Sequence, residues 1–195
     1  MISYKFKGFF YYIFIMSNTR VEVILGCMFS GKSTELLRRT NRYRAIGKKI
    51  LLINHTYDSR TDESIQTHSN IKQTAIKTDT LSSILKLKAF EDCNVIGIDE
   101  AQFFPDLLDF VKNAELMNKI IIVAGLDGDY KREPIGQILQ VIPLCDEVVK
   151  LNAMDMIDKD GSPGIFSKRI VDGEGQVLVG ANESYAAVSR INYFK

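Results

Sequence analysis

Five continuous apolar runs recur between residues 21 and 151, separated by segments of helical pattern. They are Val21-Glu22-Val23-Ile24-Leu25, Lys49-Ile50-Leu51-Leu52-Ile53, Val95-Ile96-Gly97-Ile98, residues 119–126 and Glu147-Val148-Val149-Lys150-Leu151. Each is of strand length and rich in β-branched residues. Residues 33–46 predict a helix, with Leu36 and Leu37 on one side and Arg38, Arg39, Arg42 and Arg44 mostly solvated; Gly47 stops it. Further helices are expected over residues 82–90, over 110–117 with Pro105 near the first turn, and over 137–141. Strands that are apolar throughout and alternate with helices imply an α/β fold: a parallel sheet with helices on both faces. Residues 54–79 are polar and predict a long loop with one short strand; loops of that length are usually functional or mobile. After Asn152, the turn formers in residues 158–164 and 172–175 predict short strands in a small β-rich appendage. The expected organisation is an N-terminal extension (1–19), an α/β domain (20–150) and a small C-terminal domain (151–195).

Composition narrows this picture without redirecting it. In 195 residues, 46% are hydrophobic and 25% charged, with formal net charge +1, so neither disorder nor a nucleic-acid footprint is signalled. Two histidines make a His-based metal centre an unlikely design. Cys27, Cys93 and Cys145 are odd in number and widely spaced, which argues for a reducing compartment and a cytoplasmic protein. The run Phe9-Phe10-Tyr11-Tyr12-Ile13-Phe14-Ile15 is too short to span a bilayer and lacks a following small-residue cleavage site. It is read as lying outside the fold, with Met16 the working start and no membrane partner.

Candidate chemistry begins at Gly26-Cys27-Met28-Phe29-Ser30-Gly31-Lys32-Ser33, a match to the phosphate-binding P-loop between a strand and a helix. Gly26 and Gly31 let backbone N–H groups converge on a phosphate, and the helix beginning near Lys32 adds its positive dipole end. Lys32 supplies a charge for the outer phosphates, and the Ser33 hydroxyl is a ligand for Mg²⁺.

Ligands of open parallel sheets sit at the carboxyl ends of strands, which ranks the other polar residues. Asp99 ends a Walker B-like run and is expected in the Mg²⁺ sphere. Glu100, one residue on, points to the opposite side in an extended chain and is a candidate proton acceptor. The alternative is that both carboxylates merely cap the next helix. Asp58 and Arg60 alone are as consistent with a solvated ion pair, and both histidines are read as structural or surface groups.

Together, residues 26–36, Asp58-Ser59-Arg60, Thr67-His68, Ile96-Gly97-Ile98-Asp99-Glu100-Ala101-Gln102-Phe103-Phe104 and Leu126-Asp127-Gly128-Asp129-Tyr130 resemble the type II thymidine kinases of cells and poxviruses. The match runs in order from about Arg20 to Phe194. This resemblance implies ATP-dependent phosphorylation of the 5′-hydroxyl of thymidine, with deoxyuridine also accepted. Glu100 would then accept the hydroxyl proton, with Lys32 and Arg60 stabilising the transferred group. Asp58, Ser59, Arg60, Asp99 and Gln102 would join the loop at the phosphates, with Mg²⁺ between Ser33 and Asp99. Phe103, Tyr130, Gln176, Val177, Leu178, Val179, Gly180 and Tyr185 would meet the nucleoside, Tyr130 against the thymine and residues 178–180 in a "lasso" over the base. It further implies a homotetramer and inhibition by thymidine triphosphate.

One departure stands out. Where the family carries two Cys-x-x-Cys pairs for a structural zinc, this chain has Asp155, Asp158, Ser189 and Asn192. Tetrahedral zinc favours Cys or His, so no zinc is expected and these groups are read as bonding one another or water. Two rival functions remain at this point. A generic P-loop ATPase would direct Glu100 at water, and a non-catalytic nucleoside-binding protein would hold substrate without turnover. A GTP switch lacks its N-K-x-D motif.

Overall fold

The computed structural model describes residues 19–58, 64–66, 72–172, 175–176 and 184–195. In chain order, β1 (Arg20–Gly26) leads into α1 (Lys32–Ala45), followed by β2 (Ile50–His55) and the short strands β3 (Ser64–Gln66), β4 (Lys72–Thr74) and β5 (Ile76–Thr78). Next come α2 (Lys88–Asp92), β6 (Val95–Ile98), α3 (Leu107–Leu116), β7 (Ile120–Gly125) and β8 (Glu147–Leu151). The C-terminal part holds β9 (Ala153–Met154), β10 (Pro163–Gly164), β11 (Phe166–Arg169), β12 (Tyr185–Val188) and α4 (Arg190–Phe194).

Six strands form one sheet in the order β5-β2-β6-β7-β1-β8, every neighbouring pair parallel. Both faces are covered, which explains the unbroken apolar runs. Val21, Val23 and Leu25 of β1 pack on one side with Phe90, Leu107 and Phe110 from α2 and α3. Ile24 packs on the other with Leu36 and Leu37 of α1. Alternate residues of one strand thus enter two separate cores, so a polar residue on either side would be buried.

Three local expectations change. The polar stretch holds three short strands rather than one: β3 and β4 pair with each other, and residues 76–78 join the edge of β2 as the sixth strand of the main sheet; runs of three residues leave no periodic signal. The helix expected over 82–90 is two pieces, a 3₁₀ turn at Ile84–Lys86 and α2, separated by Leu87 in an extended conformation. Its entry is fixed from outside, the Leu81 and Ser82 N–H groups donating to the Asp106 carboxylate at 3.0 and 2.7 Å. Finally, Arg39 is buried rather than solvated. It bonds Glu22 of β1 and Glu35 of its own helix, with Glu147 of β8 also in ion-pair range. Hydrogen bonds from Arg38 first, and then Arg39, push the Glu35 carboxyl down to about 2.

The C-terminal part is built differently. β9–β10 and β11–β12 are separate antiparallel pairs, and α4 is capped by Ser189, whose hydroxyl accepts from the Asn192 N–H at 3.3 Å. Among the described residues, its apolar cluster with the phosphate loop comprises Cys27, Ala153 and Ala187, with Phe29 packed alongside.

Candidate functional site

The carboxyl ends of β1, β2, β6 and β7 carry most of the residues singled out from the sequence. The loop after β1 bends back tightly. A Cβ at Gly26 would lie 2.4 Å from the Leu151 carbonyl oxygen, so only glycine fits between β1 and β8 there. Ser30 donates to the Cys27 carbonyl at 2.8 Å, and the Lys32 ammonium donates to the same carbonyl at 2.6 Å. Burial pushes the Lys32 pKa down. The carboxylates of Glu100, Asp99 and Asp127 act against that, with Glu100 the largest of them. One basic group thus shares a field with the two acids of the Walker B-like run.

Asp99 and Glu100 do not simply alternate along a strand. β6 ends at Ile98, and Glu100 adopts a left-handed conformation (φ 50°, ψ 37°) as it starts a 3₁₀ turn at Ala101–Phe103. Such a conformation costs a non-glycine residue about 1–2 kcal/mol, and tertiary contacts hold it. Gln102 donates to the Glu100 carboxylate at 2.8 Å and accepts from the Leu126 N–H at 3.0 Å. Gln102 itself is only 2% exposed. A Cβ at Gly125 would sit 2.4 Å from its amide oxygen, so the end of β7 must be bare for this bridge to form. Asp99 is buried, and its N–H donates to the Ile53 carbonyl of β2.

From β2, Asp58 is buried behind a turn whose N–H donates to the His55 carbonyl at 3.0 Å. Asn54 donates to its carboxylate at 2.8 Å, and Lys77 bonds its backbone carbonyl. Asp58 is therefore a held group rather than a solvated one. His55, read from sequence as structural or surface, is buried beside the site. Its ring packs on Tyr57, Phe103 and Phe104 with centroids 4.6, 5.5 and 4.8 Å away. Nδ1 accepts from the Tyr57 N–H at 3.1 Å. Desolvation lowers the His55 pKa while Asp79 and Glu100 pull it up, so the ring is neutral at neutral pH.

The loop after β7 places Tyr130 near the C-terminal strands. Asp129 accepts from the Lys131 and Glu133 N–H groups at 2.8 Å each and from the Gln176 amide at 3.1 Å. The Arg169 guanidinium lies 3.8 Å from the centre of the Tyr130 ring and donates to the Tyr185 hydroxyl at 3.0 Å. Cys27 and Met28 of the phosphate loop also touch this part: the Cys27 thiol donates to the Gly164 carbonyl at 3.2 Å, and the Met28 N–H to the Ser167 hydroxyl at 3.0 Å. Burial raises the Cys27 pKa, keeping it a thiol. Ser59, Arg60, Val177, Leu178, Val179 and Gly180 lie outside the described residues.

Asp155, Asp158, Ser189 and Asn192 converge. The Asn192 amide donates to Asp155 at 3.0 Å and to Asp158 at 2.8 Å. Asp155 also accepts from the backbone N–H groups of Ile157 and Asp158, at 2.8 and 2.9 Å, and from that of Ser189. Desolvation opposes its charge, but the hydrogen bonds outweigh it and hold the carboxyl well below the usual range. Among the described residues no group of three or more His, Cys, Asp and Glu side chains is arranged to hold a metal ion, and no helix is long and apolar enough to cross a membrane.

His55, Arg169 and Ser167 were not singled out from the sequence. Each meets its partners only through the fold, and no spacing marks them.

Comparison with known proteins adds to this geometry. A family model described as thymidine kinase matches residues 19–193. The thymidine kinase of Yaba monkey tumor virus is 42% identical over 180 residues, covering 90% of this chain and 94% of the relative. That of monkeypox virus is 40% identical over 178 residues, covering 91% and 98%. That of myxoma virus is 38% identical over 180 residues, covering 92% and 98%.

Proposed function

The chain belongs to the thymidine kinase family, and from that premise we propose that Glu100, Lys32 and Asp99 carry the chemistry. As a thymidine kinase it phosphorylates thymidine in nucleotide salvage, with ATP as the phosphoryl donor. The observation that carries our assignment is the end of β6, where Asp99 is buried and Glu100 is held in a left-handed turn with Gln102 clamping its carboxylate.

In this reading the P-loop amides and Lys32 cradle the phosphates. Lys32 exchanges its bond to the Cys27 carbonyl for a phosphate oxygen, which suits an ammonium already partly desolvated. Glu100 accepts the 5′-hydroxyl proton as the oxygen attacks, and Gln102, expected near the phosphates, also holds its carboxylate. Asp58 and Arg60 serve the phosphate side, with Arg60 balancing charge on the transferred group. Phe103, Tyr130, Gln176, Tyr185 and residues 177–180 serve the nucleoside. The donor set fits a hard divalent cation: a buried carboxylate, Asp99, and a hydroxyl, Ser33, both oxygen ligands. Mg²⁺ held there would neutralise phosphate charge.

No zinc is assigned to Asp155, Asp158, Ser189 and Asn192, whose oxygen and amide groups are unsuited to it and already bond one another. One tightly held zinc per chain on metal analysis overturns this. A homotetramer, inhibition by thymidine triphosphate, use of deoxyuridine and a cytoplasmic location extend the same family reading.

A nucleoside panel with labelled ATP and Mg²⁺ tests the whole. Phosphorylation of thymidine with no nucleoside-independent hydrolysis is expected. Hydrolysis without nucleoside favours a generic ATPase, and binding without turnover favours a nucleoside-binding protein.

A further inference from the structure

Arg169 is the point where three separate segments meet. It is the last residue of β11, directly across from Tyr185 in the β11–β12 pairing. Its guanidinium lies over the Tyr130 ring, 3.8 Å from the centre, while the Lys131 ammonium is farther off at 5.5 Å. The same guanidinium donates to the Tyr185 hydroxyl at 3.0 Å and to the Gly175 carbonyl at 2.9 Å. A planar cation with several donors can stack on one ring and bond a second group together, which a lysine cannot.

The loop that carries Tyr130 is anchored without Arg169. The Tyr130 carbonyl accepts from the Tyr193 hydroxyl at 2.9 Å. Arg132 is packed against Tyr193 and Phe194, 4.4 and 4.9 Å from their ring centres. Asp129 closes the turn through two backbone N–H groups. The loop backbone is thus held by one set of contacts and the Tyr130 side chain by another. Removing Arg169 would take away its stacking contact with the ring and leave these loop anchors in place.

We propose that Arg169 is a positioning residue for the acceptor nucleoside, fixing the Tyr130 ring and joining it to Tyr185 so that both aromatics are ordered before the base arrives. This rests on the reading that Tyr130 meets the base. A ring already held loses less rotational freedom on binding, so the benefit falls on nucleoside affinity and not on phosphoryl transfer.

Steady-state kinetics on the full chain test this, with Arg169→Lys, Arg169→Met, Tyr130→Leu and the Tyr130→Leu/Arg169→Met double variant. Expected for Arg169→Met is a rise of about tenfold in KM for thymidine, with kcat and the KM for ATP within about twofold of the parent. Arg169→Lys should fall between, keeping a charge and a donor but not the planar stack. In the Tyr130→Leu background Arg169→Met should add little, because its effect passes through that ring. A full additional loss there, an equal rise in the KM for ATP, or an unchanged thymidine KM in Arg169→Met while Tyr130→Leu raises it, overturns the proposal and leaves the Tyr130 reading intact. An unchanged thymidine KM in Tyr130→Leu itself overturns both.

Discussion

The phosphate loop and the C-terminal strands touch each other through Cys27 and Met28, yet they are held by different forces. The loop follows β1, which lies between β7 and the edge strand β8 of a six-stranded parallel sheet covered on both faces. Its conformation follows from glycine, a helix start and close packing on β8. Among its described residues the C-terminal part has two two-stranded sheets, a five-residue helix and a minor apolar cluster, and it leaves Met154, Ile157, Ile170, Ile191 and Phe194 exposed. Directional polar contacts do the holding there: Asp155 gathers N–H groups from two segments, and Arg132 and Arg169 each join separate elements through aromatic rings. Where little apolar area can be buried, hydrogen bonds with fixed direction specify how the chain packs.

The largest effect should come from the sheet end. Glu100→Gln is expected to lower kcat by about 10²–10⁴-fold while nucleoside binding, measured by calorimetry, is largely kept. An unchanged kcat removes Glu100 as the base. Gly125→Ala probes the same end through packing. The added methyl group meets the Gln102 amide and Ile138, so kcat should fall about tenfold through a displaced Glu100, with a stability loss of about 1–3 kcal/mol. An Ala variant equal to the parent in both measures means Gln102 does not set the Glu100 geometry.

The contrast is sharpened from the other end by Asp155→Ala, which strands donors from Ile157, Asp158 and Asn192. Its melting temperature should drop by about 5 °C, and a chelator should leave the parent's melting temperature unchanged. A chelator-induced drop would point to a metal staple. The Asp155 carboxyl is depressed in the folded state, so its contribution is complete above the unfolded value near pH 4 and fades as the pH falls through the folded value. The melting-temperature gap between parent and Asp155→Asn should therefore be flat from pH 8 to about 4 and narrow below it. The smallest effect concerns His55. Its folded pKa is lowered, so the unfolded chain binds the proton first and stability should decline as pH falls below about 6.5. His55→Gln should flatten that slope in melting curves between pH 7 and 5.

Legibility from the sequence followed the same division. The sheet domain could be read because each signal lies in consecutive residues: an apolar run, a phosphate loop, then Asp99-Glu100. What escaped reading there involved distant partners. Arg39 is buried because Glu22 and Glu147 come from two strands that α1 covers, and β5 exists because β2 offers an edge. In the C-terminal part short strands were foreseeable from turn residues, but α4 and the junction at Arg169 were not. The positions of Asp155, Asp158, Ser189 and Asn192 were legible only by likeness to a family whose thiolates they replace.

The sequence by itself determined the α/β class, the place of the phosphate loop and the family, because local periodicity and contiguous motifs carry those. Tertiary structure alone decided that Glu100 sits in a left-handed turn braced by Gln102, that His55 is buried beside it and that Arg169 joins two aromatic rings. Gln102 is placed by its bond from Leu126, His55 by Phe103 and Phe104, and Arg169 by Tyr130, pairs distant in the chain that folding brings together, and neither spacing nor composition records such meetings. The phosphate-loop motif is written in consecutive residues; the junction of Tyr130, Arg169 and Tyr185 is written in contacts that exist only once the chain has folded.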